Sequence, residues 1–154
     1  MPQLNRQGWM NRERLEQLAI LLEGYRGGNA LRFDLQSWGV SETQRSGFLW
    51  LGRRHACDTA ACAVGLACRS GIFAEDGLCC DADKSGGLTP MYRGLEGWNA
   101  VKSFFDLDQV QAVRLFAEHS YEVTEGEAAA RAVAARIRQV IVALDTAVQE
   151  RQDR

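Results

Sequence analysis

The stretch TEGEAAARAVAARIRQVIVALDTAV, Thr124 to Val148, sets the class of this fold. Val133, Ile137, Val140, Ile141, Leu144 and Val148 recur at steps of three and four residues. That spacing follows the turn of an α-helix and lays an apolar stripe along it. Thr124 followed by Glu127 reads as a capping box, in which each side chain satisfies a free amide at the helix start. The expectation is one long helix to about Val148, with a frayed tail over residues 149–154.

The same period recurs outward from this stretch. In NRERLEQLAILLEGY, Leu15, Leu18, Ala19 and Leu22 predict a helix over residues 11–25, capped by Asn11 and left at Gly24. Trp98, Val101 and Phe105 share a helical face in GWNAVKSFF. Asp108 with Gln111 opens a further helix to about Glu118, again as a capping box. Leu31, Phe33 and Leu35 alternate with Arg32 and Asp34, the pattern of a short half-buried strand. Residues 37–52 read as irregular, with a second short strand at Phe48–Leu51. Residues 74–94 are rich in glycine and acidic groups and read as a loop or ribbon. Leu88–Tyr92 would be a strand there, placed at an edge by Pro90. The fold class is therefore mainly α (α+β): about five helices around a buried small-residue helix, with a short β-ribbon, in a single domain.

Composition excludes several functions. The net charge is −2, which does not suit a protein built to neutralise phosphates. The segment opening with Asp108 has the turn of a helix-turn-helix but carries only Arg114 as a base, so nucleic acid is an unlikely partner. No apolar run approaches the roughly 18 residues of a membrane span. The N-terminal residues lack the apolar centre of a signal peptide. The expected location is cytoplasmic, where thiols stay reduced. Phosphate loops, dinucleotide fingerprints, zinc-protease and nucleophile-elbow motifs are missing, so no cofactor is expected.

The chemistry-bearing stretch is RRHACDTAACAVGLACRSG, Arg53 to Gly71. Asp58 or Thr59 is the expected cap of a helix running to Gly71. Its residues are almost all small and apolar, which points to burial and close approach of neighbouring backbones. Four readings compete. His55, Cys57 and Cys62 with Cys79 or Cys80 would supply soft metal ligands, but the chain has no C-x-x-C pair, and no metal is expected. Cys57, at a helix start, is a candidate nucleophile with His119 as its base, although Asp58 opposes a thiolate. Cys57 and Cys62 straddle the first turn and are a candidate redox pair. In the fourth reading, Cys62 and Cys68 are small hydrophobes in a core helix. Trp38 and Trp50 are candidate walls of a binding pocket that also takes in His55, Asp58 and Cys62.

Taken together, FDLQSW, CDTAACAVGLA, LTPMYRGLEGWNAVKSFFDLD and LFAEHSY resemble a family of small uncharacterised bacterial and phage proteins. That family pairs a C-G-T-x-x-C-x-x-G helix start with a later FFGL…LF…Y segment. Phe33, Trp38, Cys57, Thr59, Cys62, Gly65, Phe105, Leu107, Leu115, Phe116 and Tyr121 match the pattern. Asp58 and Asp106 stand where the family has Gly. The resemblance implies a phage or prophage setting and carries no activity with it. The leading expectation is a non-enzymatic protein that binds a protein partner. The alternatives are a cysteine-dependent enzyme or thiol redox protein using Cys57 with Cys62 or His119, and a DNA-binding accessory protein.

Overall fold

Leu15, Leu18, Ala19 and Leu22 are fully buried along one side of the first helix, α1 (Pro2–Glu23). The computed structural model describes residues 2–27, 31–35, 59–82 and 88–154. The helix begins nine residues before Asn11, which lies inside it and does not cap it. Proline is tolerated in a first turn, and each residue added to an existing helix gains a hydrogen bond. It ends at Gly24, as expected, with Gly24 N–H donating to the Ile20 carbonyl at 3.0 Å.

The described residues form five α-helices and two small sheets. The chain is mainly α with a small β part. In order they are α1, β1 (Leu31–Phe33), β2 (Thr59–Ala61), α2 (Ala63–Ser70), β3 (Cys79–Ala82), β4 (Leu88–Tyr92), β5 (Leu95–Glu96), α3 (Gly97–Phe105), α4 (Gln109–Phe116), a 3-10 turn (Glu118–Ser120) and α5 (Gly126–Gln152).

The long helix α5 packs antiparallel on α1. Arg12 Nε bonds Asp145 at 2.7 Å, while Arg138 bonds Glu23 at 2.8 Å, so residues climbing α1 meet residues descending α5. Arg131 reaches across to the Leu22 and Tyr25 carbonyls at 2.6 and 2.8 Å, closing the open end of α1. Ala129, Ala130, Val133, Ala134, Ile137 and Ile141 bury the inner face of α5.

The expected cap at Thr124 is not formed. Glu125 is the N-cap, without a side-chain bond. Thr124 and Glu125 are instead drawn into extended pairing: Leu35 N–H donates to the Thr124 carbonyl at 2.9 Å, and Asp34 bridges to Glu125. Glu127 turns away to accept from Gly27 N–H at 2.9 Å. The box at Asp108 does form, with Gln111 N–H on Oδ1 at 2.8 Å and Asp108 N–H on Oε1 of Gln111 at 2.9 Å. The helix it opens ends at Phe116, before His119.

The helix start expected at Asp58 or Thr59 also moves. Residues 59–61 are strand β2, parallel to β1 with Leu31 opposite Thr59 and Phe33 opposite Ala61. The inter-strand ladder claims those amides, and Cys62 becomes the N-cap of α2. Ala63, Val64, Gly65 and Ala67 are buried, so the small-residue helix is a core element as expected. Strands β3, β4 and β5 form an antiparallel sheet in that order, which makes β4 its middle strand and corrects the edge position expected for Leu88–Tyr92. Proline is accommodated because β5 pairs only with Met91 and Tyr92, so the sheet is two strands wide at Pro90.

An aromatic cluster joins these parts. Phe73 meets Phe104 edge-on with centroids 4.9 Å apart, Tyr92 meets Phe104 at 5.1 Å, and Phe105 leans on Phe116 at 5.6 Å. Arg14 is only 9% exposed beside it. Its Nη1 donates to the Phe104 carbonyl at 2.7 Å, and its guanidinium lies 4.1 Å from the Phe104 ring centroid. Phe104 belongs to the last turn of α3, where carbonyls lack intrahelical donors.

Candidate functional site

Two features stand out: a cluster of thiols between α2 and β3, and an apolar groove along α4. The cluster is assembled by the turn that follows α2. Gly71 ends the helix in the left-handed conformation, at φ 76°, and Gly77 adopts φ 93° before β3. Between them Phe73 is fully buried, and its carbonyl accepts from Asp76 and Leu78. This anchored turn reverses the chain and brings β3 back onto α2.

Cys62, Cys68 and Cys80 meet there as free thiols. Cys62 is sealed in the core, and burial pushes its thiol up to about 12. The N–H groups of Val64 and Gly65 pull the other way, less strongly than burial. At that value Cys62 is not a nucleophile near neutral pH. Cys68 and Cys80 are half-buried, and their side chains are hydrogen-bonded to each other. Their interaction raises the Cys68 thiol and lowers Cys80, which the Arg69 charge lowers further against the effect of burial. The neighbouring Cys79 is exposed, its sulfur 3.9 Å from the Met91 carbonyl. Successive strand residues face opposite ways, so Cys79 is turned outward, though it still acts on Cys68.

The residues singled out in the sequence divide as follows. Trp38, Trp50, His55, Cys57 and Asp58 lie outside the described residues, as does the strand expected at Phe48–Leu51. Cys62 is in the cluster but buried. His119 is exposed on the 3-10 turn beyond α4. The groups acting on the Cys62 thiol are Val64, Gly65 and Cys80, and His119 is not among them. Cys68 and Cys80 were not paired by sequence reasoning; their spacing of twelve carries no motif. Among the described residues, no group of three or more His, Cys, Asp or Glu side chains is arranged to hold a metal ion.

The groove is a shallow, open depression of about 390 Å³ lined by Gln109, Val110, Val113, Arg114 and Ser120. It exists because α4 buries Ala112, Leu115 and Phe116 and turns its other side outward. Val110 is 74% exposed. The floor is rigidly held. Ser120 Oγ donates to the Val113 carbonyl at 2.8 Å, and Arg136 of α5 donates to the carbonyls of Arg114 and Ser120, each at 2.8 Å. The same guanidinium lies 4.1 Å from the Tyr121 ring centroid, and the Tyr121 hydroxyl donates to the Leu115 carbonyl at 2.6 Å.

No family model, no curated protein and no solved structure matches the chain. Among the described residues, no helix is long and apolar enough to cross a membrane.

Proposed function

We propose that the protein acts by binding a protein partner rather than by catalysis, with α4 and the turn after it as the contact face. The observation that carries this reading is the exposed Val110 beside the half-buried Val113, on a helix whose frame is locked from behind by Arg136. A pre-formed apolar surface loses little conformational entropy on binding. Arg114 stands on the rim, exposed and without an ion-pair partner among the described residues. The occupant that fits is a peptide segment with an apolar residue for the valines and a carboxylate for Arg114.

Free thiols suit a reducing, cytoplasmic setting, and the resemblance to phage-associated proteins gives the reading a phage or prophage context. DNA is a poor candidate occupant, because the groove offers one arginine and two valines.

Selection of a displayed random-peptide library on the purified protein tests this. Enriched peptides should share an apolar residue beside Asp or Glu. Val110→Asp should abolish their binding, and Arg114→Glu should shift the preference toward Lys or Arg. An empty selection, or peptides indifferent to both substitutions, overturns the proposal.

A further inference from the structure

The outward face of α5 lacks what a solvent-facing helix surface ordinarily carries, its charged side chains. Ala128, Ala132, Ala135, Gln139, Val142 and Thr146 follow one another at alternating steps of four and three residues, and Gln149 continues the series. On the helical wheel they lie opposite the buried Val133, Ile137 and Ile141. All are exposed except the half-buried Ala132, and Val142 is 64% exposed. The stripe runs for about 30 Å without a charge. The charged residues that fall along it in sequence are turned to its sides and bonded within the chain. Arg131 holds the Leu22 and Tyr25 carbonyls, Arg136 those of Arg114 and Ser120, Arg138 holds Glu23, and Asp145 accepts from Arg12. Even the Thr146 hydroxyl is satisfied by its own helix, donating to the Val142 carbonyl at 2.8 Å, so covering it strands no donor. On α1, Ile20 is 57% exposed between Glu16 and Glu23, the two carboxylates that Arg138 holds.

A sustained four-three repeat is the period of a left-handed coiled coil, from which a straight helix drifts by about 20° per heptad. The occupant that fits such a seam is another helix, and alanine at three of its positions lets the two axes approach closely. We propose that this face pairs with the same face of a second copy of the chain, α5 lying antiparallel to α5 about a twofold axis. In the register that sets Gln139 opposite Val142 of the second copy, Ala135 meets Thr146 and Ala132 meets Gln149. The two Gln139 amides then flank the axis, and a polar residue at one seam position is a device that fixes register and orientation.

Charge complementarity selects both the occupant and its direction. The positions beside the seam on the α1 side are Arg131, Arg138 and Asp145, and on the other side Arg136, Ala143 and Glu150. Antiparallel pairing brings like sides together, so Arg138 of each copy stands opposite Asp145 of the other, an attraction made twice by symmetry. These side chains are 37% and 50% exposed beside their own partners, which leaves room for a further one. Parallel pairing instead sets Arg131 against Arg136 and Asp145 against Glu150, a like-charge pair each time. Exposed ion pairs add little affinity; here they choose the direction, while burial of Val142 and the close helix contact hold the pair. The face is separate from the α4 groove and does not depend on the peptide-binding reading.

Sedimentation equilibrium of the full chain at rising concentration tests this. The expected result is a reversible dimer. Val142→Arg and Ala135→Arg, both on exposed positions, should each weaken it about tenfold or more with the helices intact by circular dichroism. Asp145→Arg, which sets arginine against arginine across the seam, should weaken it severalfold, and Val110→Asp in the α4 groove should leave it unchanged. For the direction, Ala132→Cys protein is mixed with Gln149→Cys protein, oxidised and mapped by mass spectrometry. An antiparallel pair joins one chain of each kind through the two introduced thiols. A monomer mass at every concentration up to about 100 μM overturns the proposal, and so does a dimer that survives both seam substitutions or is lost in Val110→Asp. Bridges that join like variants through the introduced thiol mean a parallel pair and overturn the antiparallel assignment.

Discussion

Arg14→Met isolates the contribution of the buried arginine beside the aromatic cluster. Arg14 does two jobs from a nearly closed position. It gives the Phe104 carbonyl the donor that the end of α3 lacks, at 2.7 Å, and it stacks a cation over the Phe104 ring at 4.1 Å. Methionine keeps an unbranched apolar stem but can do neither. A hydrogen bond from a charged donor contributes about 1.5–3 kcal/mol when its partner is left buried and unsatisfied. A partly desolvated cation–ring contact adds about 0.5–2 kcal/mol. Packing of the methionine stem returns part of this. The net loss should be about 2–4 kcal/mol, a large share of a total stability of about 5–15 kcal/mol.

Urea unfolding followed by far-ultraviolet circular dichroism checks it. The midpoint should fall while the slope stays constant, because the surface exposed on unfolding is unchanged. Thermal unfolding should drop by about 5–12 °C for a chain of this length. Arg14→Lys should fall between the two proteins, since an ammonium can serve the carbonyl but lacks the flat guanidinium face. A loss under about 1 kcal/mol for Arg14→Met would mean that water satisfies the Phe104 carbonyl, and the assignment of Arg14 as the closing donor of α3 would fail.

Three further predictions follow from the capping, the buried thiol and the surface ion pairs. Asp108→Ala should cost about 1 kcal/mol, whereas Thr124→Ala should cost less than half of that, because only Asp108 caps a helix; equal losses in thermal unfolding would contradict the assignment. Iodoacetamide at about pH 8 should label Cys79 in the native protein and leave Cys62 untouched until urea unfolds it, read by mass spectrometry of digests. Glu23 is held below the ordinary carboxylate range chiefly by its bond to Arg138, and Asp145 by Arg12. A depressed folded value stabilises above the unfolded value of about 4 and is lost as pH falls through the folded one. Acid unfolding below about pH 4 should therefore be less steep in Glu23→Gln, and less so still in high salt, since both pairs are exposed to solvent; an unchanged acid limb would show that the pairs contribute nothing.

The helices were legible wherever an apolar stripe ran for several turns. Leu15 to Leu22 and Val133 to Ile141 are such stripes, and burial against each other is what stabilises α1 and α5. Local start signals were less dependable, and the two capping boxes show why. Asp108 caps because nothing competes for its segment between α3 and α4. Thr124 carries the same pattern, but its backbone carbonyl accepts from Leu35 in extended pairing, and that long-range bond overrides the local one. Thr59 departs from its expected place for the same reason. Three small residues before a helix carry weak preferences, and pairing with Leu31–Phe33 decides them.

The candidate site was harder to see, because sequence reasoning looked for neighbours along the chain. Cys57 and Cys62 drew attention for being close in number. Cys79 and Cys80 are adjacent, yet strand alternation turns one outward and the other toward α2. What joins Cys80 to Cys68 is a turn held by two glycines with positive φ and one buried phenylalanine. Gly71, Phe73 and Gly77 were visible as letters, but the angle at which their turn returns the chain depends on where Phe73 packs. That in turn depends on Phe104 and Phe105, some thirty residues later. A Phe73→Ala protein should therefore do more than lose the roughly 3–5 kcal/mol of a buried phenylalanine. If the turn is what positions the thiols, the same substitution should also speed alkylation of the half-buried Cys68 and Cys80 by iodoacetamide, in protein that circular dichroism shows to be still folded. Labelling at the wild-type rate in that protein would mean that α2 and β3 are aligned by the sheet alone, and that the turn merely connects them.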